Sequence, residues 1–258
     1  MRAPVLFIGH GSPMNAIADN EYTRTLQDLG RKLARPRAIL CVSAHWMTEG
    51  TWITHQAQPR TIHDFYGFPK PLFDVRYPAP GDPALAAEIK ARLTDITVNL
   101  DDEQWGLDHG AWSVLRHIFP DADVPVLQLS LHMERDERFH YVAGRSLAKL
   151  RDLGVLILGS GNIVHNLRLI KWDDAAEPYP WASEFDAWVA TKLAARDDAA
   201  LVHEARSSEA GRLSIPTPEH WYPFLYALGA ADPAERAETI YDAMQNASIS
   251  MRCVGFGL

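Results

Sequence analysis

Four short apolar runs, separated by segments with helical spacing, constrain the fold of this 258-residue chain more than any other feature. Each run is bounded by glycine, proline or polar residues, and β-branched residues are common in most of them, which favours strands over helices. Because the runs are continuously apolar rather than alternating, we expect both faces of their sheet to be covered. The runs occupy residues 5–8, 38–42, 124–129 and 155–158.

Between and after these runs, apolar residues recur at the three- and four-residue spacing of amphipathic helices. Asn20 predicts the cap of one helix, and Asp82 followed by Pro83 predicts the start of another. The four predicted apolar faces are Tyr22, Leu26, Leu29 and Leu33; Leu85, Ile89 and Leu93; Phe139, Val142, Leu147 and Leu150; and Phe185, Trp188, Val189 and Leu193.

Strands that alternate with helices predict an α/β fold with a central, largely buried mixed or parallel sheet and helices on both faces. Residues 238–244 and 248–256 are predicted to add further strands. No shift in composition divides the chain, so we expect one domain that spans residues 1–258.

The charge balance and the two cysteines exclude several classes of function. Acidic residues outnumber Lys and Arg by 33 to 25, so binding to nucleic acid or to a membrane surface is not expected. No apolar stretch approaches the roughly 18 residues of a membrane-spanning helix. Cys41 and Cys253 cannot form a disulfide framework or a thiolate zinc site, and we expect a protein of the reducing cytosol.

Histidines follow three of the predicted strands. His10 and His45 come soon after the first two runs, and His165 follows the last one. Ligands of α/β sheets bind outside the carboxyl ends of the strands, so these three side chains are candidates for one metal site. His220 could complete it, because Thr217 and Pro218 predict a helix start directly before it.

The alternative to a metal site is a set of ordinary hydrogen-bonded loop histidines. The spacing of the histidines does not support either interpretation, because no HExxH or CxxC motif is present. His132 also follows a strand and is a rival ligand by position alone. His63 and His109 lie among glycine and aromatic residues and could line a pocket. The remaining histidines are expected to be solvated or capping residues: His55, His117, His140 and His203.

Seven segments, in the expected order from one end of the chain to the other, resemble the class III extradiol ring-cleavage dioxygenases of the 4,5-DOPA dioxygenase type. The first is Gly9-His10-Gly11-Ser12-Pro13. Each segment alone is a weak signal, but their ordered conjunction is specific and covers a whole domain. The others are residues 43–46, 61–69, 77–81, 107–112, 159–167 and 217–226.

The resemblance implies roles for five histidines. It makes His10, His45 and His220 the metal ligands. His165 would be the acid–base residue and lie close enough to the metal to act as a further ligand, and His109 would hydrogen-bond substrate or oxygen. His132 matches no family motif.

One position departs from the wider superfamily, in which the third ligand is often a carboxylate. Here that position is His220, with Glu219 beside it. Neighbouring residues on a helix point about 100° apart, so we expect only His220 to face the metal.

The resemblance also implies the reaction. A catechol, DOPA-like diol would be opened with O2 to a muconic semialdehyde, with Fe(II) as the active metal and Zn(II) as the ion that competes for the site on isolation. Arg24, Arg60, Arg168 and Tyr222 are candidates to hold an amino-acid head group. The alternatives are a zinc-dependent hydrolase on the same three histidines and a non-catalytic binding protein with a retained fold.

Overall fold

The computed structural model describes residues 2–258, so Met1, the first residue of the predicted domain, lies outside it. Strands and helices alternate along the described chain. The strands are β1 (Val5–Gly9), β2 (Ala38–Thr48), β3 (Thr51–Thr54), β4 (Val98–Asp101), β5 (Val126–His132), β6 (Val155–Gly161), β7 (Ala237–Tyr241), β8 (Met244–Gln245), β9 (Ile249–Ser250) and β10 (Cys253–Phe256). The helices are α1 (Glu21–Lys32), α2 (Lys70–Phe73), α3 (Pro83–Arg92), α4 (His109–Ile118), α5 (Glu137–Leu147), α6 (Pro180–Ala195), α7 (Asp198–His203), α8 (Glu209–Ser214) and α9 (Tyr222–Ala230).

Eight of the strands form one mixed sheet in the order β4-β3-β5-β2-β6-β1-β10-β7. The central strands β5, β2, β6 and β1 are parallel to their neighbours within this group. β10 and β7 extend one side of the sheet in antiparallel pairing, and β3 pairs antiparallel with β5 on the other side. The carboxyl ends of the central strands therefore lie along one edge, where α/β proteins bind their ligands.

Helices cover both faces of this sheet, which confirms the predicted α/β architecture. Successive residues of β1 point to opposite faces, with Val5 and Phe7 in one hydrophobic cluster and Leu6 and Ile8 in the other. Helices α1 and α4 contribute to the second cluster, and α3, α5, α6 and α9 contribute to the first. Within residues 2–258, no helix is both long enough and apolar enough to cross a membrane.

The helix starts predicted at Asn20 and Asp82 are confirmed. The Asn20 side chain accepts a hydrogen bond from the Thr23 backbone N–H at 2.9 Å, and Asp82 does the same for Leu85 at 2.9 Å. The predicted face that includes Leu150 is split, because α5 ends at Leu147 and a 3₁₀ helix follows over residues 148–153.

Two predictions near the carboxyl end of the chain were wrong in detail. The predicted strands 238–244 and 248–256 each break into two, because β7 and β10 pair in the main sheet whereas β8 and β9 pair with each other in a separate sheet. Asn246 and Ala247, with φ angles of 54° and 63°, turn β8 back onto β9. The helix expected from Thr217 onward begins only at Tyr222, and the residues before it form a turn. Glu219 and His220 are therefore neighbours in a turn rather than on a helix.

Candidate active site

His10 directly follows β1, as the sequence predicted. Its backbone N–H donates to the Gly161 carbonyl at 3.1 Å, so the loop after β1 is held against the end of β6. The side chain is buried.

His45 lies within β2 rather than after it, which corrects the expected position. Val42 pairs with Leu129 of β5, but the next pair is Met47 with Leu131, so residues 43–46 bulge out of register. A bulge of this kind re-aims a side chain. His45 lies in this bulge, where β2 is not in regular register with β5, so the bulge sets the direction of its side chain.

His109 is the first residue of α4, and Asp64 holds it at two points. The His109 backbone N–H donates to Asp64 Oδ1 at 2.9 Å, and its Nδ1 lies 2.8 Å from Asp64 Oδ2. The same Oδ2 lies 3.4 Å from His45 Nδ1. Burial alone would raise the pKa of Asp64, but the hydrogen bonds from His109 and the proximity of His45 lower it to about 2. The carboxylate is thus ionised and links both histidines.

His220 lies in the turn before α9, packed against the end of β6. Its carbonyl accepts a hydrogen bond from the Asn162 N–H at 3.1 Å. A Cβ atom at Gly161 would stand 2.3 Å from that carbonyl oxygen, so only glycine allows the turn to approach the strand this closely. The His165 ring stacks on the His220 ring, with centroids 3.4 Å apart and planes 13° apart.

These segments bring all five predicted site histidines together. The ring centroids of His10, His45 and His220 form a nearly equilateral triangle with sides of 5.0, 5.2 and 5.2 Å. His109 lies 3.9 Å from His45 by the same measure. Two groups have ligand atoms within 4.8 Å of one another: His10, His45 and His109, and His165, Glu219 and His220. The first of these groups, His10, His45 and His109, consists of three histidines that could hold a metal.

The hydrogen bonds around His10 test whether this group suits a cation. Ser160 donates its single hydroxyl proton to the Gly110 carbonyl at 2.5 Å, so the contact of 2.9 Å between its Oγ and His10 Nδ1 is a bond that His10 donates. His10 Nε2 then carries a lone pair, and it lies 3.1 Å from His45 Nε2. His220 Nδ1 is buried without a hydrogen-bond partner. This donor set fits a divalent transition metal.

Burial and mutual proximity favour the neutral form of three imidazoles of the cluster, those of His10, His220 and His165. Burial lowers the pKa of His10 and of His220 well below the usual value, and the neighbouring histidines lower it further. Burial and the nearby His109 lower the pKa of His165 to about 4. The neutral imidazole is the form that binds a metal.

The other predicted histidines lie elsewhere. His132 Nδ1 accepts a hydrogen bond from the Glu134 N–H, and His63 Nε2 donates to the Val75 carbonyl at 3.0 Å. The expectation that His117 and His140 are solvated or capping residues is wrong, because both are buried. His117 donates to the Asn15 carbonyl at 3.0 Å, and His140 stacks on Tyr222 with ring centroids 3.8 Å apart.

Three of the four head-group candidates are engaged by other groups. Arg24 pairs with Asp19, Arg60 donates to the Gln104 carbonyl, and the Tyr222 hydroxyl donates to the Arg135 carbonyl. Arg168 is exposed in the 3₁₀ helix that follows His165.

Several polar residues that support the site were not identified from the sequence. Asp108 is fully buried and accepts hydrogen bonds from Ser43 Oγ and Gln128 Nε2, each at 2.7 Å. Burial raises the pKa of Asp108, and the charge of Asp64 raises it further. Asp64 and Ser160 fall inside segments that carry the family resemblance, but only the folded chain shows which histidine each one contacts.

Comparison with known proteins agrees with this geometry. The family described as the catalytic LigB subunit of aromatic ring-opening dioxygenases matches residues 4–257. Two similar curated proteins are both called 4,5-DOPA dioxygenase extradiol. The one from Escherichia coli (strain K12) is 49% identical over 99% of this chain and 95% of its own length. The one from Beta vulgaris is 38% identical over 95% of this chain and 92% of its own length.

A solved structure is similar as well. The crystal structure of an uncharacterized protein from Escherichia coli K12 superposes with a TM-score of 0.87 at 45% sequence identity, and covers 99% of this chain and 100% of the other. Together, the family match and the identities confirm the predicted enzyme class over the hydrolase and binding-protein alternatives. The chain therefore belongs to the LigB family of aromatic ring-opening dioxygenases.

Proposed function

We propose that this chain opens the aromatic ring of a catechol, DOPA-like substrate with O2 beside the diol to give a muconic semialdehyde, and that Fe(II) is its active metal. The observation that carries the proposal is the triangle of His10, His45 and His220 with His165 and His109 beside it. The names of the relatives from Escherichia coli and Beta vulgaris support the substrate class.

In this proposal His10, His45 and His220 hold the metal. Rings that each place a nitrogen about 2.1 Å from one ion, at angles of about 90 to 110°, have centroids about 4.6 to 5.3 Å apart. The three sides of 5.0, 5.2 and 5.2 Å fall in that range, whereas the 3.9 Å between His45 and His109 falls below it. The ring separations therefore favour His220 as the third ligand, whereas the ligand atoms within 4.8 Å of one another group His109 with His10 and His45.

Imidazole ligands suit iron as well as zinc. Bound Fe(II) would supply the redox link between diol and O2 and the positive charge that makes the diol hydroxyls more acidic. Zn(II) would occupy the same ligands without that redox chemistry, so zinc-loaded protein is expected to be inactive.

His165 is proposed as the acid–base residue. Its pKa of about 4 means that the ring is neutral near pH 7, so it first takes a proton from a diol hydroxyl and later returns one to the product oxygen. Its parallel stacking on His220 runs the lone pairs of the two rings side by side rather than toward a common point. This geometry favours His165 as the acid–base residue. That His165 also acts as a further metal ligand stays a prediction.

His109 is proposed to orient the substrate. Asp64 accepts its Nδ1 proton, which leaves Nε2 as an acceptor for a catechol hydroxyl. The carboxylate thereby fixes the direction of that hydrogen bond.

We also propose that residues 1–258 act as one catalytic domain in the reducing cytosol. The site draws on His10 near the start of the chain and His220 near its end, so neither half is complete alone. Cys41 and Cys253 are buried free thiols, as suits a reducing compartment.

The test is anaerobic reconstitution with ferrous iron, followed by exposure to air with a panel of catechols. The expected result is a yellow ring-opened product, with one O2 consumed per substrate and no turnover in the zinc-loaded protein. Turnover without O2, or no ring opening of any catechol by iron-loaded protein, would contradict the proposal.

A further inference from the structure

Glu219 places an unpaired carboxylate at the edge of the histidine cluster. One of its carboxylate oxygens lies within 4.8 Å of a ring nitrogen of His165 and of one of His220. The Thr217 hydroxyl donates to Glu219 Oε1 at 2.7 Å, which orients the group. Within residues 2–258, Glu219 forms no ion pair, because no basic nitrogen lies within 4.0 Å of it.

The other carboxylates of the site are already satisfied. Asp64 accepts two hydrogen bonds from His109 and lies beside His45. Asp108 is buried and held by Ser43 and Gln128. Of the three, Glu219 alone keeps an oxygen free of protein donors among the described residues.

The distances argue against Glu219 as a metal ligand. A carboxylate oxygen and an imidazole nitrogen that bind one ion are about 3.0 to 3.4 Å apart. Glu219 lies more than 4.0 Å from every histidine nitrogen of the described chain, whereas His10 and His45 approach each other to 3.1 Å. The carboxylate is therefore beside the cluster and outside its coordinating nitrogens.

We propose that Glu219 binds the ammonium group of the substrate, so that the preferred substrates are catechols with a cationic amine side chain. This inference rests on the proposed function. A half-buried carboxylate attracts a cationic side chain and repels a carboxylate side chain, since its interaction with either charge is stronger than in bulk water. Asp64, beside His109 and His45, adds a second negative charge to the site.

The experiment compares two catechols that differ in the charge of the side chain: dopamine, which carries an amine, and 3-(3,4-dihydroxyphenyl)propanoic acid, which carries a carboxylate. Glu219→Gln keeps the size of the side chain and an oxygen that accepts from Thr217, but removes the charge. The ratio of kcat/KM for dopamine to that for the acid should fall about tenfold. Glu219→Lys should lower the ratio further and favour the acid.

Binding and metal content give readouts that do not depend on turnover. Anaerobic titration of iron-loaded protein should show weaker dopamine binding in Glu219→Gln, with the iron content equal to that of the wild type. The matched control is Glu184→Gln, an exposed glutamate on α6, which should leave the ratio unchanged.

Two outcomes would overturn the proposal. One is an unchanged ratio in both Glu219 variants. The other is an equal loss for both catechols accompanied by loss of iron, which would make Glu219 a metal ligand. If wild-type protein opened no catechol, the proposed function would fail, while the anaerobic preference for dopamine over the acid would still decide the role of Glu219.

Discussion

The Nε2 atoms of His10 and His45 face each other at 3.1 Å. Ser160 accepts the Nδ1 proton of His10, so a lone pair remains on His10 Nε2. Asp64 lies 3.4 Å from His45 Nδ1 and favours the same tautomer there. Two lone pairs at this distance repel unless a proton or a cation lies between them. The pair is therefore arranged to share a bound cation.

Ser160→Ala should weaken metal binding, because it removes the acceptor that fixes the His10 tautomer. We expect the affinity for Zn(II), measured by competition with a chelator, to fall about tenfold or more. The free energy of unfolding should fall by about 1 to 3 kcal/mol, because His10 Nδ1 and the Gly110 carbonyl lose a partner.

Ser130→Ala is the matched control for this change. Ser130 is a buried hydroxyl of β5 that hydrogen-bonds Thr48 and the Trp52 N–H away from the histidines. It should cost similar stability and leave the metal affinity intact. An equal loss of affinity in both variants would show that the effect of Ser160→Ala is only structural.

Asp64→Asn should alter both histidines that this carboxylate contacts. An amide can accept only through its oxygen, so the bonds to the His109 N–H and to Nδ1 cannot both be kept. We expect metal affinity to fall about 10- to 100-fold, and the ¹⁵N NMR signals of His109 in the metal-free protein to shift toward the other tautomer. Asp102→Asn, which breaks the exposed pair with His55, should change neither. Unchanged tautomers in Asp64→Asn would remove Asp64 from this role.

His165→Ala should separate chemistry from metal binding. Loss of a general acid–base group lowers turnover by about 10²- to 10⁴-fold. The iron content should stay at the wild-type value if His10, His45 and His220 are the ligands, and His132→Ala should affect neither quantity. Loss of iron together with activity would instead assign His165 as a ligand.

The sheet was predictable because its central strands are buried on both faces. Runs such as residues 155–158 are continuously apolar, which is typical of a strand whose two faces are both covered by helices. β2 was predicted too short, because Ser43, His45 and Thr48 interrupt the apolar run while the chain continues as a bulged strand. Periodicity cannot detect a bulge, since the pairing partner lies on β5.

The histidines of the site were predictable in part, because His10 and His165 follow strands whose direction the fold dictates. The Thr217-Pro218 pattern predicted that His220 lies on a helix. Instead His220 lies in a turn that packs closely on Gly161, and α9 begins only at Tyr222. Asp64 lies in a loop 45 residues before His109, so only the tertiary structure joins them. The family resemblance identified the histidines, but only the tertiary structure shows which residues fix their tautomers.

Buried His140 should make the protein sensitive to acid. Burial, together with the nearby His132, lowers the pKa of His140 to about 3, below the ordinary value of about 6.5. Between these values the unfolded chain binds a proton that the folded chain does not, so the free energy of unfolding falls as pH falls.

His140→Leu should remove this contribution and reduce the dependence of the unfolding free energy on pH by up to about 1.4 kcal/mol per pH unit. Denaturant unfolding of metal-free protein between pH 4 and 7 measures the slope. His203→Leu, at an exposed position on α7, should leave it unchanged. Equal slopes in wild type and His140→Leu would show that His140 is not the group responsible.

Anomalous X-ray diffraction at the iron edge, from crystals loaded with Fe(II) under anaerobic conditions, tests the central claim most directly. We predict one peak per chain, bound by Nε2 of His10 and of His45 and by a ring nitrogen of His220, with His109 and His165 nearby but not bound. A peak held by His109 in place of His220, or no peak at the triangle of these three rings, would contradict the account.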